Sequence, residues 1–181
     1  MSEQNSVSAT IERLGPVGMI TLRGDLENTS LQEAAKAATG SDFPATRRIM
    51  RNDDSHAIGW MSPDEVLLMV PYGEKDKVLA DLDKALVDVL HLAVDVSDAR
   101  ARFAIKGNGA REVLAKGAPV DMSPSAFTEG QLRRTRLGQL AAAFWMTGAD
   151  GFELVTFRSV GDYVETWLQM AAKEGSSPAF F

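Results

Sequence analysis

Within residues 92–117, LAVDVSDARARFAIKGNGAREVLAKG, the hydrophobic period lengthens from two to 3.6, and that change restricts the fold more than any other feature of the chain. Val94 and Val96 alternate with Asp95 and Ser97. After a turn at Asp98 and Ala99, Ala101, Phe103 and Ile105 alternate with Arg102, Ala104 and Lys106. Neighbouring strand residues point to opposite faces, so the alternation predicts two half-buried strands. Gly107-Asn108-Gly109 ends the run, Asn108 is of a type that caps helices, and Ala110, Val113, Leu114 and Gly117 share one helical face. Strand, turn, strand and helix in this order require a sheet with a helix packed on it.

The rest of the chain repeats that grammar. Val17 to Arg23 reads as a strand, Ser30 with Glu33 as an S-x-x-E capping box, and Leu31, Ala34, Ala35 and Ala38 as the inward stripe of a helix. Thr46 to Arg51, His56 to Trp60 and Glu65 to Val70 read as short strands, and Val78, Leu79, Leu82, Ala85, Leu86 and Val89 as one face of a long helix. A strand region follows from Gln131 to Met146, then a strand from Phe152 to Phe157. Ser159 with Asp162 opens a last helix that turns Val160, Val164, Trp167, Leu168 and Ala171 inward. A shift of 86 residues superposes Val66, Leu68 and Val70 on Phe152, Leu154 and Thr156, and Val78, Leu82 and Ala85 on Val164, Leu168 and Ala171; a shift of 83 superposes Ile20 to Gly24 on Phe103 to Gly107. The expectation is an α+β fold of two similar halves, each a small antiparallel sheet with packed helices. An N-terminal arm over residues 1–14 precedes halves at 15–90 and 91–174, and a tail covers 175–181.

At 181 residues, with 45% apolar and 24% charged residues, the chain has ordinary globular usage. It contains no cysteine, which removes disulfides, thiolate zinc sites and cysteine nucleophiles together. A net charge of -6 argues against general attraction to nucleic acid or to an anionic membrane. The first ten residues are polar and no apolar run approaches the ~20 residues of a membrane span, so the expectation is a cytoplasmic protein without a signal peptide.

Several groupings invite a chemical reading. Gly107-Asn108-Gly109 between strand and helix suggests a phosphate cradle, but Glu112 occupies the third glycine position of G-x-G-x-x-G and would repel an anion there. Asp95, Ser97 and Asp98 with His56 and His91 contain the types needed for acid–base or nucleophilic catalysis, yet no serine sits in a G-x-S-x-G elbow; the favoured reading is turn and packing residues. Arg133, Arg134 and Arg136, with Arg47, Arg48 and Arg51 in the first half, could meet an acidic ligand or partner, because guanidinium groups bind carboxylates bidentately. Phe180 and Phe181 end a Gly-Ser-Ser-Pro-Ala tail, where two aromatics bury little unless another surface receives them. Arg133, Arg134, Arg136, Phe180 and Phe181 are therefore the candidate partner interface.

The order of D-V-S, a short turn, an apolar strand ending in Gly107 and a helix opening G-A-R-E-V-L resembles the folate-binding domain of the aminomethyltransferase superfamily. Within that superfamily it resembles the gamma subunit of heterotetrameric sarcosine oxidase. Phe127 to Gly130, Arg134 to Leu137, Gly151 to Val155, Arg158-Ser159 and Tyr163 to Leu168 continue the likeness, which covers residues 91–174 well and 15–90 loosely. The resemblance implies alpha, beta and delta partner chains, with FAD, FMN, NAD and tetrahydrofolate in partners, zinc in delta, and no catalytic, cofactor or metal residue in this chain. Aminomethyltransferases carry an acidic residue after a Gly-Gly turn, and it handles the folate nitrogen. Here Gly138-Gln139-Leu140-Ala141-Ala142-Ala143 stands in that region, and no Asp or Glu occurs from Gln131 to Ala149. Without a carboxylate the family's acid–base step has no agent. The expected role is a non-catalytic gamma subunit supporting assembly of the flavin-bearing chains that demethylate sarcosine to glycine. A gamma-like subunit of a related complex such as N-methylglutamate dehydrogenase, or a free-standing folate-dependent transferase, are the alternatives. An iron–sulfur maintenance protein of the same fold would need the cysteine this chain lacks.

Overall fold

The computed structural model describes residues 9–173 and 175–176. Ten strands and four α-helices run in the order β1 (Thr10–Arg13), β2 (Gly18–Gly24), α1 (Thr29–Thr39), β3 (Ile49–Arg51), β4 (Ala57–Ser62), β5 (Glu65–Val70), α2 (Lys75–Ala85), β6 (His91–Asp95), β7 (Arg100–Lys106), α3 (Ala110–Ala115), β8 (Leu132–Leu137), β9 (Leu140–Gly148), β10 (Gly151–Phe157) and α4 (Gly161–Ala171). Residues 16–99 form one compact unit, and β1 with the chain from Arg100 onward forms another. The sheet of the first unit is ordered β3-β4-β5-β2-β6 and that of the second β8-β9-β10-β7-β1. All pairings are antiparallel.

The two sheets are copies of each other down to register. Ile20 pairs with Leu68 as Phe103 pairs with Leu154, and Ile58 pairs with Leu68 as Phe144 pairs with Leu154. These pairs reproduce the shifts of 83 and 86 residues read from the sequence. In the first unit Ile20, Leu22, Ile58, Leu68 and Leu82 close a core beneath α1 and α2; in the second, Phe103, Ile105, Phe144, Leu154 and Leu168 do so with α3 and α4. All ten are at most 1% exposed, and each fully buried aliphatic or aromatic side chain is worth about 1.5–3 kcal/mol of transfer free energy.

The sequence boundary at residue 90 moves, because strand pairing is nonlocal. β6 joins the first sheet by pairing with β2, whereas β1, assigned above to an arm, joins the second by pairing with β7. Each repeat thus gives its first strand to the other repeat's sheet. Local signals also shift. α1 is capped by Asn28, whose side chain accepts from the Ser30 and Leu31 amides, so the Ser30/Glu33 box does not form and Glu33 pairs with Lys36 instead. Neither Asn108 nor Ser159 caps a helix: α3 starts after Gly109 and α4 after Val160, both without a side-chain cap. The region from Gln131 to Met146 is a hairpin of two strands, turned by Gly138 in the left-handed conformation at φ 59°.

Opposite charges hold the exchanged strands. Asp95 of β6 accepts from Lys75 Nζ at 2.6 Å, at the start of α2; at the matching register of β1, Arg13 reaches Asp162 and Glu165 of α4 at 2.6 and 3.2 Å. Had each repeat kept its own first strand, Asp95 would face Asp162, a like-charge contact, and Arg13 would face Lys75 with Asp76 beside it. Burial alone would raise the Asp95 carboxyl, but hydrogen bonds from Lys75 and Ser97 outweigh it and hold the group below the usual carboxylate range. A depressed folded pKa gives stability that is complete above the unfolded carboxylate pKa of about 3.9 and is lost as pH falls through the folded value. Asp95→Asn is therefore expected to lower the thermal midpoint at neutral pH and to flatten its decline in acid. Arg13→Asp, which places three carboxylates together, is expected to lower the midpoint by more than Arg13→Ala, and melting curves across pH check both.

Candidate interface: an arginine strand and an apolar margin

Among the described residues β8 pairs only with β9, so it forms an edge of the second sheet. Leu132 and Leu137 are buried at its two ends and Arg134 and Arg136 are exposed between them. Arg133 behaves differently. Its Nη1 donates to the Leu132 carbonyl at 2.9 Å, its Nη2 to Gln131 Oε1 at 2.9 Å, and its guanidinium lies 5.3 Å from the ring centroid of the buried Phe127. It works as a clamp for its own hairpin, leaving Arg134 and Arg136 as the outward pair. Arg51 of β3 holds the same register as Arg134, since it faces Ala57 as Arg134 faces Ala143, and it is 3.0 Å from Asp54. Arg47 is exposed and Arg48 half-buried in the segment leading to β3. The arginine runs thus fall at equivalent places in the two sheets. Phe180 and Phe181 lie outside the described residues.

Sequence reading missed a second surface. Val94 was expected on the inward side of its strand, but Leu92 and Val94 are 55% and 40% exposed, while His91, Ala93 and Asp95 are half-buried. The anchoring of Asp95 by Lys75 and Ser97 decides the register and turns the valine outward. Val87 and Leu90, just before the strand, are 77% and 95% exposed. The matching positions of β1 carry Thr10 and Glu12, so only one of the two equivalent edges presents an apolar margin. Four large aliphatic side chains between residues 87 and 94 are thus exposed.

The candidate chemical groups are occupied locally. His56 Nδ1 lies 2.8 Å from Asp53, and His91 Nδ1 lies 2.8 Å from the Val89 carbonyl. Ser97 hydrogen-bonds Asp95 and accepts from the Met19 amide at 2.8 Å, and Asp98 accepts from the Tyr72 hydroxyl. Neither histidine bonds to Ser97 or Asp95, and each of these groups makes local turn or packing contacts. Gly107 closes a turn on Asp150 and leads into a helix of only six residues, with Glu112 buried in it. In the hairpin where the aminomethyltransferase acid was sought, Ala142 and Ala143 are 5% and 3% exposed.

The Sarcosine oxidase, gamma subunit family matches residues 23–174. The chain belongs to this family. The gamma subunit from Corynebacterium sp. strain U-96 is 30% identical over 145 residues, which is 80% of this chain and 70% of the relative; that from strain P-1 is 28% identical over the same length and shares. Heterotetrameric sarcosine oxidase from Corynebacterium sp. U-96, solved in complex with pyrrole 2-carboxylate, contains a chain that superposes with a TM-score of 0.84 at 26% identity, over 98% of this chain and 90% of that one. Aminomethyltransferase T of the glycine cleavage system from Bartonella henselae superposes with a TM-score of 0.64 at 14% identity, over 90% of this chain and 46% of that one, a likeness of fold alone.

The division of labour among the arginines of this gamma-family chain is directly measurable. Arg133→Ala is expected to destabilise the hairpin by about 1 kcal/mol, through the lost hydrogen bonds and cation–π contact. Arg136→Glu should leave the thermal midpoint of the chain nearly unchanged. Differential scanning fluorimetry of the two variants checks this.

Proposed function

We propose that this chain is the non-catalytic gamma subunit of a heterotetrameric sarcosine oxidase and that it completes contacts among alpha, beta and delta chains. The observation that carries the reading is the full-length likeness to a chain of the solved heterotetramer, joined to a β8–β9 hairpin with no carboxylate. Oxidising the N-methyl C–N bond of sarcosine to yield glycine needs a hydride acceptor, which side chains do not supply. The glycine turn before α3 does not suit a dinucleotide, since Glu112 stands where its third glycine belongs. Transfer of the released carbon to tetrahydrofolate needs an acid or base that β8 and β9 lack. FAD, FMN, NAD and tetrahydrofolate are then held by partner chains, in the cytoplasm, and this chain contributes surface. Arg134 and Arg136, the margin of Val87, Leu90, Leu92 and Val94, and the terminal Phe180 and Phe181 supply that surface.

The purified chain is expected to be colourless and to turn over neither sarcosine nor a methylene donor with tetrahydrofolate. Co-expressed with the other three chains, it should co-purify at fixed stoichiometry. Leu90→Glu with Leu92→Glu, and separately deletion of residues 178–181, should each reduce co-purification without lowering the chain's own thermal midpoint. A flavin spectrum from the isolated chain, or one-carbon transfer by it at the rate of the whole complex, would overturn the non-catalytic assignment.

A further inference from the structure

Antiparallel pairing turns alternate residues of an edge strand toward its neighbour and the others toward open space, and two hydrogen bonds decide which are which on β6. The Val96 amide donates to the Met19 carbonyl at 2.8 Å, while the Gly24 amide donates away from β6, to the Asp64 carbonyl at 3.0 Å. By the β2–β6 register, Leu92 and Val94 then bond to Arg23 and Thr21, and the main-chain groups of His91, Ala93 and Asp95 point off the sheet. Among the described residues none bonds to the backbone of Ala93.

The other sheet edges are guarded. Among the described residues they are β3, β1 and β8. β3 has three residues and ends in Arg51; β1 carries Glu12, 3.3 Å from Lys106, and Arg13, bound by Asp162 and Glu165; β8 carries Arg133, Arg134 and Arg136. Short length and charged side chains are how sheets refuse further strands. β6 has five residues, no proline, and outward side chains of Leu92 and Val94, with Leu90 exposed just before them. The charges in register with it are taken up inside the first unit: Arg23 by Glu65 and Asp64, Asp95 by Lys75, and His91 lies 3.7 Å from Asp83. Asp88, before the strand, is exposed.

We propose that β6 takes up an extended segment of another subunit of the oxidase as a sixth strand of the first sheet, with apolar side chains of that segment covering Leu92 and Val94. A row of amides and carbonyls pointing off an edge is matched by another extended backbone, and the two aliphatic side chains beside it select apolar partners at alternate positions. Pairing with a second copy through this five-residue strand alone would fall well short of the about 20–30 residues a side that stable interfaces use. Another subunit can add contacts elsewhere on the chain. The proposal rests on the reading of this chain as a subunit, and it adds the mode of one contact.

The test uses the full chain co-expressed with the other three. Ala93→Pro removes an amide that points off the edge and spares the pairing with β2. It is expected to leave the thermal midpoint of the isolated chain within a few degrees of wild type and to lower recovery in the complex on the order of tenfold. In the wild type, hydrogen exchange at the Ala93 amide should be fast in the isolated chain and slower on the order of tenfold or more in the complex. A photoreactive leucine analogue in place of Leu92 should cross-link another subunit within a segment of alternating apolar residues. Should Ala93→Pro unfold the chain, exchange and cross-linking decide. Equal exchange at Ala93 in the complex and the isolated chain overturns the proposal, as does slow exchange already in the isolated monomer. So does a cross-link to this chain, to a second copy of it or to no protein. Recovery lost with Leu90→Glu and Leu92→Glu but kept by a folded Ala93→Pro also overturns it, leaving a side-chain contact and the subunit reading intact. Failure of the wild-type chain to co-purify overturns the subunit reading, and this proposal with it.

Discussion

The fold depends on a reciprocal exchange: β1 completes the sheet of the second repeat and β6 that of the first. Backbone pairing alone does not choose this arrangement, because β1 and β6 hold equivalent positions and either could hydrogen-bond to either neighbour. Side-chain charge favours the exchange: Asp95 is matched to Lys75 and Arg13 to Asp162 and Glu165, whereas the unexchanged pairing would set Asp95 against Asp162 and Arg13 against Lys75 with Asp76 beside it. Exposed ion pairs contribute little energy singly. Their value here lies in discrimination, because the unexchanged pairing would set Asp95 against the carboxylates of α4.

Exchange also explains how the repeats diverged. Two copies that complete each other need not stay alike on the surfaces they turn to other molecules. The second repeat keeps an aromatic core of Phe103, Phe127, Phe144 and Phe152, with Phe127 stacked on Phe144 at 5.6 Å, and a polar outer edge at Thr10 and Glu12. The first repeat has an aliphatic core of Ile20, Leu22, Ile58 and Leu68 and an apolar edge at Leu92 and Val94.

What the sequence disclosed follows from the range of each force. The strands β2, β5, β7 and β10 and the inward stripes of α2 and α4 were legible because burial writes its period into consecutive residues. The internal repeat was legible for the same reason. Helix starts were not: Asn28 and Ser30 are both competent caps two positions apart, and only the backbone path selects one. The outward turn of Val94 was hidden because Asp95 takes its orientation from Lys75, twenty residues earlier in the chain. Of the candidate interface, Arg134 and Arg136 stood out as charge, whereas the margin at Leu90 and Leu92 has the composition of a core strand and reveals itself only by exposure.

The absence of a carboxylate from the β8–β9 hairpin involves more than one residue. β8 and β9 are now neutral or basic throughout, and Ala142 packs into the core that contains Phe144 and Leu154, while Ala143 is buried on the other face of the strand. A carboxylate placed at position 142 would enter an apolar core, so it would take up a proton or unfold its surroundings before it could act as a base. The two alanines fill their places in the packed hairpin. An acid could act at position 142 only if a cavity and a partner cation were built along with it.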